Sequence, residues 1–345
     1  MKAAGASSSF VSLFHSAWPG SAATATGFWG GDQPGSFRGI REAIHDGLSA
    51  GLAGETVWGS DIGGYLPTDS PETFVRWAQL GAISPVFEVG GQGDNATFWN
   101  YGQGTVDLFR AAATLHYELV PYLYQLIRDA HATGIPVLRP PALEYPSQAV
   151  FWKDDYELLV GRDLLAAPVV QPAPAAIAVD LPPGTWVDLA SGLRMAGPKS
   201  FSSVFPLSEL PLYLRAGAVI PFAARTPAIW PAAWPVDALH LPGRGGWLYA
   251  PGAGLAEAAT PEFGSFHATL KGRTITIDLH GAPRETQVEL VGVDVASTSL
   301  GAASPSDAAL QAVGQGWEHT QTPFPGVVLK LAPKSGATSV MVMLR

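Results

Sequence analysis

Phe28-Trp29-Gly30-Gly31-Asp32-Gln33-Pro34-Gly35 and, one helical stretch later, Val57-Trp58-Gly59-Ser60-Asp61-Ile62-Gly63-Gly64-Tyr65 are two versions of one pattern. In each, a short aromatic or β-branched run ends in an Asp flanked by glycine. Between them lies Ile40 to Leu52, whose apolar positions Ile40, Ala43, Ile44, Leu48 and Leu52 fall roughly at helical spacing. Strand-turn-Asp, helix, strand-turn-Asp is how a parallel βα protein presents carboxylates at the C-terminal ends of its strands, where such folds keep their chemistry. The first part of the chain is therefore α/β.

Outward from that stretch the alternation continues. Phe10 to Trp18 reads as a strand ended by Pro19-Gly20, and Gly27 to Asp32 and Glu55 to Asp61 as two more, with Gly54 stopping the helix between them. Ser70-Pro71-Glu72 opens the next helix, with Ser70 as N-cap and Pro71 at the favoured first position. That helix turns Phe74, Trp77, Leu80 and Gly81 inward. Ser84 to Val89 reads as a fourth strand, running into Gly90-Gly91-Gln92-Gly93. Val106 to Ala132 is the longest helical pattern; Pro121 inside it predicts a kink or a break, and Gly134 with Pro136 ends it. Four βα-like units amount to half of an eight-unit barrel, with two raw edges.

After about Asp154 the pattern changes to short strands: Leu158-Leu159-Val160, Leu164 to Val170, Ile177 to Leu181, Trp186 to Leu189 and Leu212 to Phe222. Turns such as Pro182-Pro183-Gly184 and Arg215-Ala216-Gly217 separate them, as in a small antiparallel sandwich. Thr226 to Pro235 looks like a linker. Thr286 to Val291, Val327 to Leu331 and Ser339 to Leu344 then continue in strand alternation, so a second all-β module follows. The predicted organisation is the C-terminal half of a TIM barrel over 1–153, a proximal β-sandwich over 154–225 and a distal β-rich domain over 226–345.

Composition narrows the function classes. Twenty basic against twenty-nine acidic residues give a net charge of −9, and no Lys/Arg-rich run stands out, which argues against a nucleic-acid or anionic-membrane partner. With no cysteine there is no disulfide, thiolate metal site or Cys nucleophile. No apolar run approaches the roughly 20 residues of a membrane helix, and the first residues make a poor signal peptide. The histidines show no metal-ligand spacing: His116 and His131 share one helix but not one face-pair, and there is no phosphate loop or Gly-x-Ser-x-Gly elbow. No metal and no cofactor is expected.

Taken in order, Trp29-Gly30-Gly31-Asp32, Gly47-Leu48 with Gly51-Leu52, Trp58-Gly59-Ser60-Asp61-Ile62-Gly63-Gly64 and Arg76-Trp77-Ala78-Gln79-Leu80-Gly81-Ala82 resemble glycoside hydrolase family 31, the α-glucosidase/α-xylosidase group. The resemblance runs on through Pro121-Tyr122-Leu123-Tyr124, Arg139-Pro140, Leu143-Glu144-Tyr145-Pro146, Gly161 to Pro168, Leu181 to Trp186 and Arg215-Ala216-Gly217, and fades beyond Phe222. It implies a TIM barrel with β-domains behind it, cleaving α-glycosidic bonds with retention. That chemistry uses two carboxyl groups about 5–5.5 Å apart, one a nucleophile and one a general acid/base. Asp32 matches the acid/base position, and Phe28 and Trp29 are placed to wall a carboxyl that must carry a proton. Asp61 matches a position of the sugar subsite, its alternative role being a cap for the following turn. Trp29 and Trp58 are candidates to stack on a sugar ring, while Trp18 and Trp77 read as core.

The sequence also departs from the family. The nucleophilic Asp expected on an earlier barrel strand has no counterpart, because none of the residues before Asp32 is acidic. An Arg usual before the acid/base strand falls on Ser16, beside His15. The His usual after the Arg-Trp-x-x-Leu-Gly segment falls on Gly90, near Glu88. His15, Glu88 and Asp94 are the candidates to take over sugar binding, with a solvated loop as the plain alternative for the two acids. The expectation is a retaining α-glycosidase acting on an oligosaccharide or α-glycoside, truncated and lacking its nucleophile. The alternative is a non-catalytic carbohydrate-binding protein that keeps the pocket. A complete chain with Asp61 as nucleophile ranks lowest.

Overall fold

The computed structural model describes residues 11–67, 70–153, 156–223, 245–261, 263–281, 286–300, 303–304, 315–320, 325–331 and 338–345; the linker expected at Thr226–Pro235 and the side chain of Asp94 lie outside the described residues. The chain forms two compact units, the first built on the α/β region through Tyr117 with Leu126–Arg139, the second on Glu118–Gln125 and the strand-rich region from Pro140 onward. Mixed helix and sheet in the first and antiparallel sheets in the second match the fold class read from the sequence at that level.

The first unit holds a parallel sheet in the order β1 (Leu13–Phe14), β2 (Gly27–Trp29), β3 (Trp58–Gly59), with Phe14 beside Phe28 and Phe28 beside Trp58. The strands are shorter than the sequence suggests: Gly30 follows β2 directly and Gly59 ends β3, while β1 stops before His15. The fourth strand expected at Ser84–Val89 shrinks to a single parallel bridge between Asp61 and Glu88; Pro85 has no N–H to give a ladder. Trp18, expected in the core, is 80% exposed.

Side chains alternate across a strand, and that parity decides the layers. Phe28, Trp58 and Ser60 point to one face, where α1 (Phe37–Leu52) packs on Trp58. Ser36 caps α1 by accepting the Gly39 N–H at 3.3 Å, and Ile40, Ala43, Ile44 and Leu48 are buried as the spacing predicts. Gly47 is required on this helix. A Cβ there would lie 2.2 Å from the Trp58 ring, so only glycine lets the indole meet the helix backbone. In α2 (Pro71–Ile83), Ser70 accepts the Thr73 N–H at 3.2 Å and Phe74, Trp77, Leu80 and Gly81 are buried, as expected. Trp77 donates its indole N–H to Ser60 Oγ at 3.0 Å, tying α2 to the same back face.

The helix α3 (Gln103–Thr133) runs through Pro121 without the break the sequence suggested. A proline inside a helix costs about 3 kcal/mol, and burial of Leu119, Tyr122, Leu123 and Leu126 around it offsets that loss. Gly134 ends the helix in the left-handed conformation, its N–H on the Ala130 carbonyl at 2.8 Å. Phe74, Phe98, Phe109 and Phe87 stack in a row with ring centroids 4.2–5.7 Å apart, and His116 continues the row 5.0 Å from Phe87. Burial lowers the His116 pKa, so the ring behaves as a neutral core group. The short β4 (Leu138–Arg139) completes this unit.

In the second unit α4 (Pro141–Glu144) leads into β5 (Leu158–Val160), β6 (Leu164–Ala166), β7 (Ile177–Asp188), β8 (Arg194–Ser203) and β9 (Leu212–Arg215), with neighbours β5-β6-β9-β7-β8. Leu159, Leu165, Val179, Trp186 and Tyr213 pack as its core. Pro182-Pro183-Gly184, read from sequence as a turn between two strands, lies inside β7. The pairing with β8 slips there, from Leu181 opposite Lys199 to Gly184 opposite Gly197. Two residues without an N–H cannot hold a ladder, so the strand bulges instead of ending. Likewise Leu212–Phe222 is two strands: β10 (Val219–Ala223) leaves β9 at Arg215-Ala216-Gly217 and pairs with β11 (Gly245–Tyr249).

From there two five-stranded sheets form. One has the order β10-β11-β15-β18-β17, with β15 (Thr286–Val291), β17 (Gly316–Thr320) and β18 (Gly326–Leu331). The other is β12-β13-β14-β19-β16, from β12 (Leu255–Thr260), β13 (Gly264–Lys271), β14 (Thr274–His280), β16 (Val295–Thr298) and β19 (Thr338–Leu344). Trp247 and Tyr249 of β11 meet Phe266 of β13 with centroids 5.9 and 5.3 Å apart. Strict alternation of buried and partly exposed positions along β14 and β19 matches a sheet with one covered face.

Candidate functional site

The face of β2 and β3 opposite Trp58 gathers most of the candidate residues. Trp29, Gly59 and Asp61 share its parity, and the parallel bridge sets Glu88 next to Asp61 on the same side. Trp29 donates its indole N–H to Asp61 Oδ2 at 2.7 Å, a contact made across two strands. His15, just past β1, lies with its ring 5.1 Å from Trp29. Tyr65 meets the other side of that indole edge-on at 6.1 Å. His15, Trp29, Asp61 and Glu88 are thus brought together, and Asp32 stands on the turn directly after β2.

Loops fix this arrangement. The Gly30 N–H donates to the Gly59 carbonyl at 2.8 Å, the Leu66 N–H to the Gln33 carbonyl at 3.2 Å and the Gln92 N–H to the Tyr65 carbonyl at 2.7 Å, lacing the segments after β2, β3 and Glu88 to one another. Gly64, at φ +80°, lies against Gly35, where a Cβ would come within 2.9 Å of backbone. Phe87 turns inward onto Phe109 and His116, so its neighbour Glu88 is sent to the site face.

The carboxylates differ in their surroundings. Asp61 is buried, and burial raises its pKa above the ordinary carboxylate range; the Trp29 hydrogen bond opposes the rise and the charge of Asp32 adds to it. Glu88 is raised for two reasons, burial first and the charge of Asp61 second. Its Oε1 is buried without a hydrogen-bond partner, so it is no solvated loop acid. Asp32 faces solvent. The wall expected from Phe28 is on the other face of the strand.

Gly90 explains the missing side chain at its position. A Cβ there would lie 2.2 Å from Asp61 Oδ1, so the backbone closes against the carboxylate and any side chain at this position would displace it. Trp58 needs correction: it is 3% exposed and packed on Gly47, on the wrong face to stack on a ligand. Sequence reading took both tryptophans as equivalent because each precedes a Gly-x-Asp or Gly-Gly-Asp run; strand parity separates them. Tyr65 was not singled out, although it closes the second pattern. Gln33 was also missed: it is buried and donates its side-chain amide to the Gly30 carbonyl, bracing the turn under Asp32. Among the described residues no group of three or more His, Asp or Glu is placed to hold a metal, and no helix is long and apolar enough to cross a membrane.

The family model described as the glycosyl hydrolases family 31 TIM-barrel domain matches residues 2–126, and that of the glycosyl hydrolase family 31 C-terminal domain matches residues 134–220. A probable glucan 1,3-alpha-glucosidase of Arabidopsis thaliana is 35% identical over 196 residues, 56% of this chain and 21% of that protein. The neutral alpha-glucosidase AB of Homo sapiens is 32% identical over 197 residues, again 56% of this chain and 21% of the relative. The chain thus spans about a fifth of the length of these relatives. Among solved structures, the cycloalternan-forming enzyme from Listeria monocytogenes superposes with a TM-score of 0.84 at 22% identity, over 96% of this chain and 33% of that one, which shows a shared fold.

Proposed function

The chain belongs to glycosyl hydrolase family 31, and from that premise we propose that it carries the proton-transfer and sugar-holding part of a retaining α-glucosidase-type centre. Asp32 is the general acid/base. It protonates the leaving glycosidic oxygen and then takes a proton from the water that attacks the glycosyl–enzyme intermediate. Asp32 faces solvent, so the water exclusion that a proton-carrying carboxyl needs comes from the bound sugar in this reading.

Asp61 and Glu88 accept hydroxyl hydrogens of the sugar ring, Trp29 holds Asp61 in place, and the Trp29 and His15 rings flank the sugar. The observation that carries this assignment is the pair of a buried Asp61 and a half-buried Glu88 whose Oε1 is buried without a partner, beside an exposed Asp32. Buried acceptors without donors are costly, and sugar hydroxyls supply donors. The names of the relatives, glucosidases among them, support an α-glucoside as substrate.

The first unit is read here as part of a (β/α)8 barrel, with the boundaries near 153 and 225 separating it from the β-domains. The nucleophile is none of the carboxylates assigned above, since residues 1–31 hold no Asp or Glu and Asp61 and Glu88 are taken up in sugar binding. Turnover by this sequence alone is therefore weak, because loss of a nucleophile costs several orders of magnitude.

The test compares p-nitrophenyl α-glucoside with an α-glucoside of a more activated leaving group, assayed with this chain and with a version extended N-terminally by its natural coding sequence. Asp32→Asn is expected to lower kcat/KM, which reports cleavage of the glycosidic bond, by about 10²–10⁴-fold on the first substrate and far less on the second, because an activated leaving group needs no proton. Equal losses of kcat/KM on both substrates count against the acid/base role. Robust turnover by the chain alone, abolished by Asp32→Asn, overturns the assignment of the nucleophile elsewhere. A carbohydrate-binding protein without catalysis would show sugar binding and no turnover in either version.

A further inference from the structure

Four of the sequence motifs singled out by their family resemblance take no part in the site around Asp32, and in the second unit they converge on one cavity. Glu144-Tyr145 follows α4, Arg162 sits in the β5–β6 turn, Pro183-Gly184-Thr185 is the bulge of β7 and Arg215-Ala216 ends β9. Together they line a half-open cavity of about 300 Å³. The β7 bulge borders it: the slipped register leaves Pro182 and Pro183 without a ladder partner, and Gly184, which resumes the pairing at φ +118°, has open space where a Cβ would be. The rim is pinned by the Arg215 N–H on the Asp163 carbonyl and the Ala216 N–H on the Thr185 carbonyl, both at 2.8 Å.

Charge decides what the cavity can take. Arg162 Nε donates to Glu144 Oε2 at 3.2 Å, and Arg215 engages Asp163 Oδ1 through Nε at 3.0 Å and through Nη2. Each guanidinium already faces a carboxylate, so an anion would meet no uncompensated positive charge, and a cation no free negative one. What is left over is hydrogen-bonding capacity of both signs. A guanidinium has five donors in a planar fork and a carboxylate about four acceptor sites, and one ion pair uses only some of them. Beside these groups stand the half-buried ring of Tyr145, packed on Phe151 at 6.1 Å, the Pro183 ring and the Thr185 hydroxyl. Donors and acceptors next to apolar ring surfaces suit a ligand with vicinal hydroxyls on one side and C–H groups on the other. The volume is at the small end for ligand cavities, room for one or two sugar rings, and the open mouth lets a chain continue outward.

We propose that this cavity is a second saccharide site, separate from the residues around Asp32, which holds a neutral sugar unit through Arg162, Glu144, Tyr145 and Thr185. It rests on the α-glucan reading of the first site for the kind of sugar, and it needs no catalytic step. Its use would be to raise the local concentration of a polymeric substrate by giving it a second foothold on the same molecule.

Isothermal titration of the whole chain with maltotriose tests it, in the wild type and in Asp61→Ala, Arg162→Ala, Arg162→Lys and Thr185→Trp. Arg162 is 74% exposed in its side chain, so its replacement leaves folding intact, which circular dichroism and the melting temperature check. Saturable binding is expected to survive Asp61→Ala. Made in the Asp61→Ala background, so that the first site does not contribute, Arg162→Ala and Thr185→Trp should weaken it at least tenfold, and Arg162→Lys, which keeps the charge and loses the fork, measurably. Affinity indifferent to both the Arg162 and the Thr185 variants overturns the proposal, as does competition by inorganic phosphate at comparable affinity. Binding abolished by Asp61→Ala alone also overturns it, and leaves the reading of Asp32 and Asp61 standing. Binding that survives Asp61→Ala and is lost in the cavity variants upholds it, whatever the aryl glucoside assay returns.

Discussion

Trp29 and Trp58 occupy neighbouring strands, one step apart in register, each just before a glycine-flanked Asp, and they do opposite work. Trp58 is sealed between its strand and α1, its ring lying over Gly47. Trp29 stands on the other face, half-buried, with its N–H on Asp61 and His15 and Tyr65 on its flanks. The same residue type in the same local phrase serves packing in one case and the site in the other. What differs is one residue of register: Trp29 pairs with Gly59, so Trp58 is its opposite in parity.

The difference can be broken from the packing side first. Gly47→Leu puts a branched side chain into the Trp58 ring, and the helix backbone has no room to retreat. The expected cost is about 3 kcal/mol or more, at the upper end for overpacking, read as lost soluble yield or a lowered urea midpoint. Trp58→Ala leaves a cavity and should cost about 3–5 kcal/mol. Trp29→Ala, from a half-buried position, should cost clearly less in the same urea titration while it weakens sugar binding through Asp61, which Trp58→Phe leaves untouched. Equal stability losses for the two alanine variants would erase the distinction between the faces. Further from the comparison, Ser70→Ala removes the cap of α2 for about 1 kcal/mol.

The smallest expected effect sharpens the site face. Burial and Asp61 raise the Glu88 pKa above its unfolded value, so the folded protein holds that proton more tightly than the unfolded chain does. Stability is then highest below the unfolded glutamate pKa and falls as pH rises through the folded one. Glu88→Gln removes that loss. It should stabilise by about 0.2–1 kcal/mol at pH 7, the usual size of a like-charge contact across strands, and by nothing at pH 3. Thermal melts at the two pH values check the sign, and a destabilised variant at pH 7 would mean that the carboxylate is held by a donor.

The helices were largely legible because their signals are local. Ser36 and Ser70 as caps, Gly134 as a stop and the apolar stripe of α1 all depend on residues within a few positions of one another. Strands were legible where alternation was long, as in β15, β18 and β19, and poorly legible where proline intruded. Pro182-Pro183 carried the local chemistry of a turn, yet the flanking residues Leu181 and Trp186 are both buried in one core and hold the strand together across the bulge. Pro121 failed as a helix breaker for the same reason: long-range burial outweighed a local penalty.

By itself the sequence determined the family, the parallel α/β character of its first part, and a set of candidates of which the fold brings His15, Trp29, Asp61 and Glu88 together, with Asp32 on the turn beside them and Trp58 elsewhere. Those follow from short motifs whose chemistry is carried by residue type and order. Only the tertiary structure decided that Trp58 belongs to the core, that Gly90 closes on Asp61, that Glu88 is half-buried beside it while Asp32 faces water, and that four distant motifs meet around one cavity. Each of these depends on which atoms come within a few ångströms across strands or loops, and strand parity and register fix that only once the sheet has formed.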